Sequence, residues 1–228
     1  TMSQGVANTR IYELIEPTSN NSENNQQLNA KDAASWMDKQ GIEYKTLECF
    51  NWVAKDDSAP MAKVRISRTK DALVIDYHVA EYSTCGLEKT DGGEVYKDAC
   101  MECFIKAPED SGYYNIECNC IGTLYIGYRK PGSDKEILST DTLHSIDRFA
   151  SLGTTPFDTT IGYKEWTLSL VIPFKHLPHL NDDGNRTDYL GNIYKYGKRL
   201  HKVYYVSLFP ILSETIGFHK PEYFKEIL

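Results

Sequence analysis

Short alternating apolar segments, separated by turn residues, dominate the chain between residues 62 and 208. The clearest group is a meander of three strands, predicted over 98–106, 113–119 and 123–129 and joined by short turns that contain Gly112 and Gly122. Five more strands are predicted over 62–67, 72–80, 166–172, 191–196 and 202–208. Many short strands without interleaved helices predict an all-β fold, a two-layer antiparallel β-sandwich of the immunoglobulin-like or jelly-roll type.

A short helical pattern lies near the N-terminus, over Asp32–Lys39. We expect Asp32 to cap this helix and Gly41 to end it. Residues 17–31 are rich in Asn, Gln, Ser and Glu, which predicts an irregular surface loop. We therefore expect one domain over residues 1–228, with residues 1–44 as an irregular and helical N-terminal extension.

The formal net charge of −7 argues against a nucleic-acid partner, because proteins that bind phosphate backbones usually carry a basic stripe. The densest basic cluster fits a solvated strand end or loop and consists of Lys195, Lys198, Arg199 and Lys202. No apolar run approaches the ~18 residues of a membrane span. The location in the cell stays open: cytoplasmic if Met2 is the native start, periplasmic or secreted if a signal peptide has been removed.

Four cysteines fall in strand-like sequence, as a C-x-x-C pair (Cys100 and Cys103) and a C-x-C pair (Cys118 and Cys120). Such pairs can bind zinc. In a strand, however, Cys100 and Cys103 point to opposite faces, which favours free cysteines that pack as small hydrophobic side chains. A disulfide from Cys100 to Cys118 or Cys120 stays open if the compartment is oxidising.

We expect no obligatory cofactor. Structural calcium is possible at Asp182, Asp183 and Asn185, whose side-chain oxygens are suitable ligands, although the same residues also form an ordinary turn.

The segment before and within the first meander strand carries the main indication of function. With regular pairing, Tyr96, Asp98, Glu102 and Phe104 share one face of the sheet. An aromatic ring beside carboxylates suits a polyhydroxylated ligand, because the ring stacks on C–H groups and carboxylates accept hydrogen bonds from hydroxyls. The plainer alternative is a solvent-facing strand in which tyrosine serves packing.

The neighbouring strands add polar side chains that extend this surface. They supply Arg129 and either Glu117 or Asn119, depending on the register between the strands.

Several ordered motifs run from about residue 45 to the end of the chain. They are Val95-Tyr96-x-Asp98-x-x-x-Glu102-x-Phe104, Tyr114-x-Ile116-Glu117-x-Asn119-x-x-Gly122-Thr123, Trp166 through Ile172-Pro173-Phe174, Gly191-Asn192-x-Tyr194, and Phe218-His219-x-Pro221-Glu222-x-Phe224. In this order the sequence resembles the family 9 carbohydrate-binding modules, and more closely their stand-alone bacterial relatives. The resemblance implies a lectin-like β-sandwich without catalysis that clamps a terminal sugar between two aromatic rings.

The resemblance also implies a set of binding residues. Tyr96 takes the place of the first stacking ring, Glu102 that of the hydroxyl-binding carboxylate, and Asn119 and Arg129 supply polar contacts. The second ring is a tryptophan in the segment equivalent to 205–210, where this chain has none. Phe209 is the expected substitute, although Leu208 is an alternative equivalent.

The expected partner is a mono- or oligosaccharide, and two other functions stay open. One is an interaction or scaffold module whose sugar site has decayed. The other is a glycoside hydrolase, for which Asp98 and Glu102, about 13 Å apart along a strand, are too widely spaced. Glu102 and Glu117 are closer, but no nucleophile–base motif accompanies them. We interpret His219 as a structural residue, hydrogen-bonded where the chain end docks.

Overall fold

The computed structural model describes residues 27–228. The expectations for Met2, and for most of the loop over 17–31, lie outside the described residues. Within 27–228, no helix has the length and apolar composition needed to cross a bilayer.

Two antiparallel sheets face each other, which confirms the predicted sandwich. The smaller sheet has the order β1-β3-β4-β10-β9, formed by Lys45–Thr46, Met61–Arg68, Ala72–Gly86, Phe157–Pro173 and Asp147–Ala150. The larger sheet has the order β2-β12-β11-β5-β6-β7-β8, formed by Cys49–Asn51, Tyr205–Ser207, Leu190–Tyr196, Cys100–Lys106, Tyr113–Asn119, Leu124–Arg129 and Glu136–Ile137. A short strand β13 (Lys225–Glu226) also pairs with β11.

The core lies between the sheets and follows the two-residue period of the strands. On β4 the inward residues are Leu73, Ile75, Tyr77 and Val79, as the alternation predicts. They pack against alternate residues of the larger sheet, namely Met101, Cys103, Ile105, Ile116, Cys118, Ile126 and Ile193. The larger sheet is therefore oriented with its even-numbered β5 residues, among them Glu102 and Phe104, pointing away from the core.

Helix α1 (Ala30–Lys39) covers the outer face of the smaller sheet. Its Ala33 and Met37 pack on Val74 and Val171. Arg65 fastens the helix to the sheet, because its guanidinium bonds to Asp38 of the helix at 2.7 Å and to buried Asp76 of β4 at 2.8 Å.

The helix starts earlier than the pattern indicated. Asn29, not Asp32, is the residue before the first turn, and Asp32 lies inside that turn. Gly41 ends the helix as predicted, with a φ of 69° that favours glycine after a helix C-terminus.

The antiparallel pair of β4 and β10 is longer than predicted. Both strands run past the expected limits, so that Thr84 pairs with Thr160 and Ser83 with Ile161, with register shifts on either side. Conversely, the strand predicted over 98–106 starts only at Cys100. Tyr96 lies in a 3-10 turn, Val95–Lys97, in front of it.

The connection over residues 130–160 contains structure that the sequence pattern did not indicate. It forms β8, the short helix α2 (Thr140–Ser145) and β9. Ser139 caps α2, since its hydroxyl accepts a bond from the Thr142 amide at 3.2 Å.

Candidate functional site

The outer face of the larger sheet carries polar and aromatic side chains in register. Two neighbouring rows of paired residues cross the strands β11, β5, β6 and β7. One row consists of Tyr194, Glu102, Glu117 and Tyr125, and the other of Asn192, Phe104, Asn115 and Gly127. Directly opposite residues in antiparallel strands project to the same side. These rows therefore form one surface, called the outer face below.

Four buried polar atoms on the outer face have no hydrogen-bond partner within residues 27–228. They are Glu102 Oε2, Asn115 Oδ1, Tyr125 OH and Arg129 Nε. Leaving such a group unpaired costs about 1–3 kcal/mol, so native proteins rarely leave several together. Two of them are acceptors and one is a donor, while the tyrosine hydroxyl serves as either. The outer face is thus matched to a ligand with several hydroxyl groups.

Glu102 and Glu117 lie directly opposite each other on β5 and β6, and Glu102 is only 3% exposed. Burial, followed by the charge of Glu117 and a hydrogen bond to it, holds the pKa of Glu102 well above its usual range. Asn115 Nδ2 donates to Glu117 Oε2 at 3.1 Å. Glu102 therefore holds its proton more tightly than an ordinary glutamate does.

Gly127 leaves space that the unpartnered groups use. A Cβ atom at this position would lie 2.8 Å from Asn115 Oδ1 and 2.9 Å from Tyr125 OH. Both polar atoms therefore lie close to the backbone of Gly127 in β7. The Tyr125 ring also has the Lys135 ammonium 5.3 Å from its centroid.

Aromatic rings border the polar groups. Tyr194 stacks on Phe218 with ring centroids 4.3 Å apart, and Phe104 stacks on Tyr113 at 5.5 Å. Tyr196 is half-buried and packs on Tyr205 at 5.4 Å. Burial, the neighbouring Tyr205 and the Glu102 carboxylate raise the pKa of Tyr196 to about 12, so this ring lies within electrostatic reach of Glu102.

The C-terminal segment closes one end of the outer face. His219 Nδ1 lies 2.7 Å from Tyr113 OH, and its ring centroid lies 4.8 Å from that of Phe104. Burial, followed by the charges of Arg129 and Lys135, lowers the pKa of His219 to about 4. The hydrogen bond expected of His219 where the chain end docks is therefore present.

The model of carbohydrate-binding family 9 matches residues 31–228, which is most of the chain. The chain belongs to carbohydrate-binding family 9. A presumed carbohydrate-binding protein from Bacteroides uniformis ATCC 8492 has a crystal structure that superposes with a TM-score of 0.79. It is 31% identical and covers 88% of this chain and 92% of its own.

Two solved family 9 modules from Caldicellulosiruptor kristjanssonii are more distant. The module in complex with glucose is 13% identical, with a TM-score of 0.47 over 90% of this chain and 91% of its own. The module in complex with cellotriose is 11% identical, with a TM-score of 0.41 over 81% of this chain and 80% of its own. A comparison with curated proteins gave no match.

The structure places all five expected site residues of this family 9 chain on the outer face or at its border. Glu102 and Arg129 project from β5 and β7, and half-buried Tyr96 lies beside the start of β5. The carbonyl of Tyr96 accepts a bond from the Lys198 amide at 3.3 Å, which joins it to the loop after Tyr196.

Asn119 lies opposite Cys100 in the register, and the Phe209 amide and carbonyl bond to the Asn192 side chain, but neither residue leaves an unpartnered polar group there. The Asn119 amide is wholly used within the fold: it donates to Asp98 and the Glu88 carbonyl and accepts from the Ile121 and Thr123 amides. The Phe209 ring lies 5.8 Å from the Lys225 ammonium and belongs to no aromatic pair within residues 27–228.

Asp98 was expected on the ligand-binding surface, and this expectation is wrong. It precedes β5, is fully buried, and is held by Arg199 at 3.0 Å and by Asn119 at 2.9 Å. The expectation of a solvated basic cluster is also wrong in part, because Lys195 is buried and pairs with Glu81, while Lys202 pairs with Asp56.

The residues considered for metals and disulfides have other contacts. Asp182 accepts bonds from Arg68 and from Tyr189, so its oxygens do not fit a calcium site, and we do not propose one there.

All six cysteines are free. Cys100 lies on the outer face near Val95 and Tyr125, whereas Cys103 and Cys118 lie in the core. Within the described part of the chain, no three His, Cys, Asp or Glu side chains gather as metal ligands.

Asn115, Tyr125 and Gly127 were not singled out from the sequence. The signal was nevertheless present, because the predicted strands 113–119 and 123–129 alternate with a period of two. Extending the face of Glu102 across both strands leads to Asn115, Glu117, Tyr125 and Gly127.

Proposed function

We propose that the protein is a non-catalytic carbohydrate-binding protein whose sugar site is the outer face. The observation that carries the proposal is the group of four unpartnered buried polar atoms on Glu102, Asn115, Tyr125 and Arg129. Membership of a carbohydrate-binding family supports it.

In this proposal, sugar hydroxyls supply the missing hydrogen bonds. Glu102 Oε2 and Asn115 Oδ1 accept from hydroxyl groups, Arg129 Nε donates to a hydroxyl or ring oxygen, and Tyr125 OH does either. Bonds to charged groups are about twice as strong as neutral ones, which offsets the loss of water by the sugar.

The stacking surface in this proposal consists of Tyr96 and Tyr196. Both are half-buried, and both lie next to the Glu102 end of the outer face. We assign the second ring to Tyr196 in place of Phe209, whose ring lies against Lys225. A tyrosine ring presents an apolar surface to the C–H face of a sugar while its hydroxyl stays in water.

Calorimetric titration with glucose and cellotriose, followed by a panel of mono- and oligosaccharides, tests the proposal. We expect a dissociation constant in the micromolar to millimolar range, about −8 to −4 kcal/mol. Tyr125→Phe removes one hydroxyl and should weaken binding roughly five- to tenfold, the value of one hydrogen bond. Tyr163→Phe, at an exposed tyrosine on the smaller sheet, is the matched control and should bind as the wild type does.

Thermal unfolding separates a binding role from a structural one. Because the Tyr125 hydroxyl has no partner within the described fold, Tyr125→Phe should unfold at the same temperature as the wild type or higher. Absence of binding to every sugar tested would favour the interaction-module alternative. Release of reducing ends from a polysaccharide, lost in Glu117→Gln, would instead favour a hydrolase built on Glu102 and Glu117.

A further inference from the structure

A cavity lies at the end of the sandwich where β4 and β11 approach each other. None of the four unpartnered groups lines it, but it shares Tyr196 with the proposed stacking surface. Its volume is about 240 Å³. Most of its wall is aliphatic or aromatic, from Pro60, Tyr82, Ile161, Tyr196, Leu200 and Tyr204. A cavity of this size holds a molecule with a single ring, since drug-sized ligands occupy about 300–1,000 Å³.

A buried ion pair forms part of the polar wall, which also includes Ser58, Ser83, His201 and Lys202. Lys195 Nζ of the larger sheet lies 2.7 Å from Glu81 Oε2 of the smaller sheet, and the two residues are 1% and 3% exposed. Trp166 Nε1 donates to Glu81 Oε1 at 3.0 Å. The ion pair thus joins the two sheets at the edge of the cavity.

Such a pair contributes little to stability. Removing two charges from water costs several kcal/mol each, and apolar side chains of the same volume often serve as well or better. Its presence beside a mostly apolar cavity therefore indicates a role in recognition. An ammonium group has three donors, and Lys195 makes no second hydrogen bond within residues 27–228.

We propose that this cavity binds a small uncharged molecule made of an apolar ring and one hydroxyl group, such as a phenol or a ring alcohol. The pair is neutral overall, so a charged ligand would leave an unbalanced charge away from water. A hydroxyl accepts a bond from Lys195 and donates one to Glu81, while its ring packs against Leu200 and Tyr204.

The indole N–H of Trp166 provides a direct measurement of ligand binding at Glu81, because it donates a hydrogen bond to Glu81. Its signal is simple to assign, because Trp166 is one of only three tryptophans. Phenol is titrated into the ¹⁵N-labelled protein, with the indole signal assigned through Trp166→Phe. We expect a saturable shift of this signal with phenol, and at least tenfold weaker binding of benzene and benzoate. Benzene that bound as tightly as phenol would refute the role of the ion pair, and a phenol titration without saturation would refute the site.

Two variants locate the binding. Leu200→Trp fills the cavity and should abolish the phenol-induced shift, whereas Leu212→Trp, at an exposed leucine outside the cavity wall, should leave it unchanged. An unchanged shift in Leu200→Trp would overturn the placement.

The double variant Glu81→Gln with Lys195→Met removes the charges while keeping side-chain volume and the acceptor for Trp166. It should weaken phenol binding at least tenfold, and phenol affinity equal to that of the wild type would refute recognition by the pair. Should it not fold, Leu200→Trp still decides the placement. Glu102→Gln should leave phenol binding unaltered, so this test and that of the sugar site fail independently.

Discussion

At the scale of single residues, the chemistry of the outer face depends on Glu102. Its carboxyl group is buried opposite Glu117, and one of its oxygens has no partner within the described chain. A side chain selected for stability alone would be apolar here, or would be paired with a cation. Under the proposed function, Glu102 lowers stability and contributes to binding.

Glu102→Gln should therefore stabilise the protein and weaken its binding to sugars. Burial and Glu117 raise the pKa of Glu102 in the folded state, so the folded state holds a proton that the unfolded state loses near pH 4.3. The stability of the wild type then falls as pH rises from about 4.3 to the raised pKa. The glutamine side chain of the variant does not titrate, and at pH 7–8 the variant should be more stable by roughly 1–3 kcal/mol.

Denaturant unfolding across this pH range checks the prediction, with Glu226→Gln at an exposed position of β13 as the control. A Glu102→Gln variant that unfolded more easily than the wild type at pH 8 would show that the carboxylate stabilises the fold.

Gly127 illustrates how a residue without a side chain shapes the proposed site. In Gly127→Ala the new Cβ would lie within 3 Å of Asn115 Oδ1 and Tyr125 OH, and both must move. We expect sugar affinity to fall at least tenfold, measured by calorimetry. Tyr125→Phe removes one of the two clashing atoms, so the double variant should recover part of the stability lost in Gly127→Ala. Strictly additive losses would contradict this geometry.

At the scale of elements, the C-terminal segment couples the outer face to pH. His219 is neutral where it packs on Phe104, and its pKa of about 4 lies below the unfolded value of about 6.5. The unfolded state then binds the proton first, so stability is complete above pH 6.5 and is lost as pH falls towards 4. The loss should reach about 1–3 kcal/mol.

His219→Gln keeps a hydrogen-bonding group for Tyr113 but does not titrate, and it should remove most of this acid sensitivity. Thermal melts between pH 4 and pH 7 measure the effect, with exposed His201→Gln as the control. Equal acid sensitivity in wild type and His219→Gln would assign the effect to other groups, since Tyr113, Arg129 and Lys135 also face the ring.

The strands also show why sequence patterns predict the positions of some elements but not their full lengths. Strands such as β4 and β6 were predictable because their alternation follows from a core on one side. The extension of β4 to Gly86 was not, because residues 81–86 pair with β10 across register shifts that no local pattern encodes.

The positions of the candidate site residues were predictable in the same uneven way. Glu102 and Arg129 follow from alternation together with the family resemblance. By contrast, the turn that engages Asn119 and the position of Phe209 depend on tertiary contacts of Glu88, Asp98 and Lys225.

At the scale of the whole molecule, the cysteines report whether the two sheets unfold together. Five of the six thiols are fully buried, on the smaller sheet at Cys85 and on or beside strands of the larger sheet at Cys100, Cys103, Cys118 and Cys120. Burial raises the pKa of Cys118 to about 12, and those of the other four are raised by the same cause. A thiol reagent attacks the thiolate, so these groups react only after the structure opens.

Half-buried Cys49 should react first in the native protein, and the other five should follow together at one slower rate. The shared core between the sheets is the reason for this expectation, because Cys103 of β5 packs in the same cluster as Leu73 and Ile75 of β4. Mass spectrometry after pulses of alkylating reagent counts the labelled thiols, and Cys49→Ser removes the fast one. If Cys85 were labelled well before Cys103 and Cys118, the smaller sheet would open by itself, and the sandwich would consist of two cooperative units.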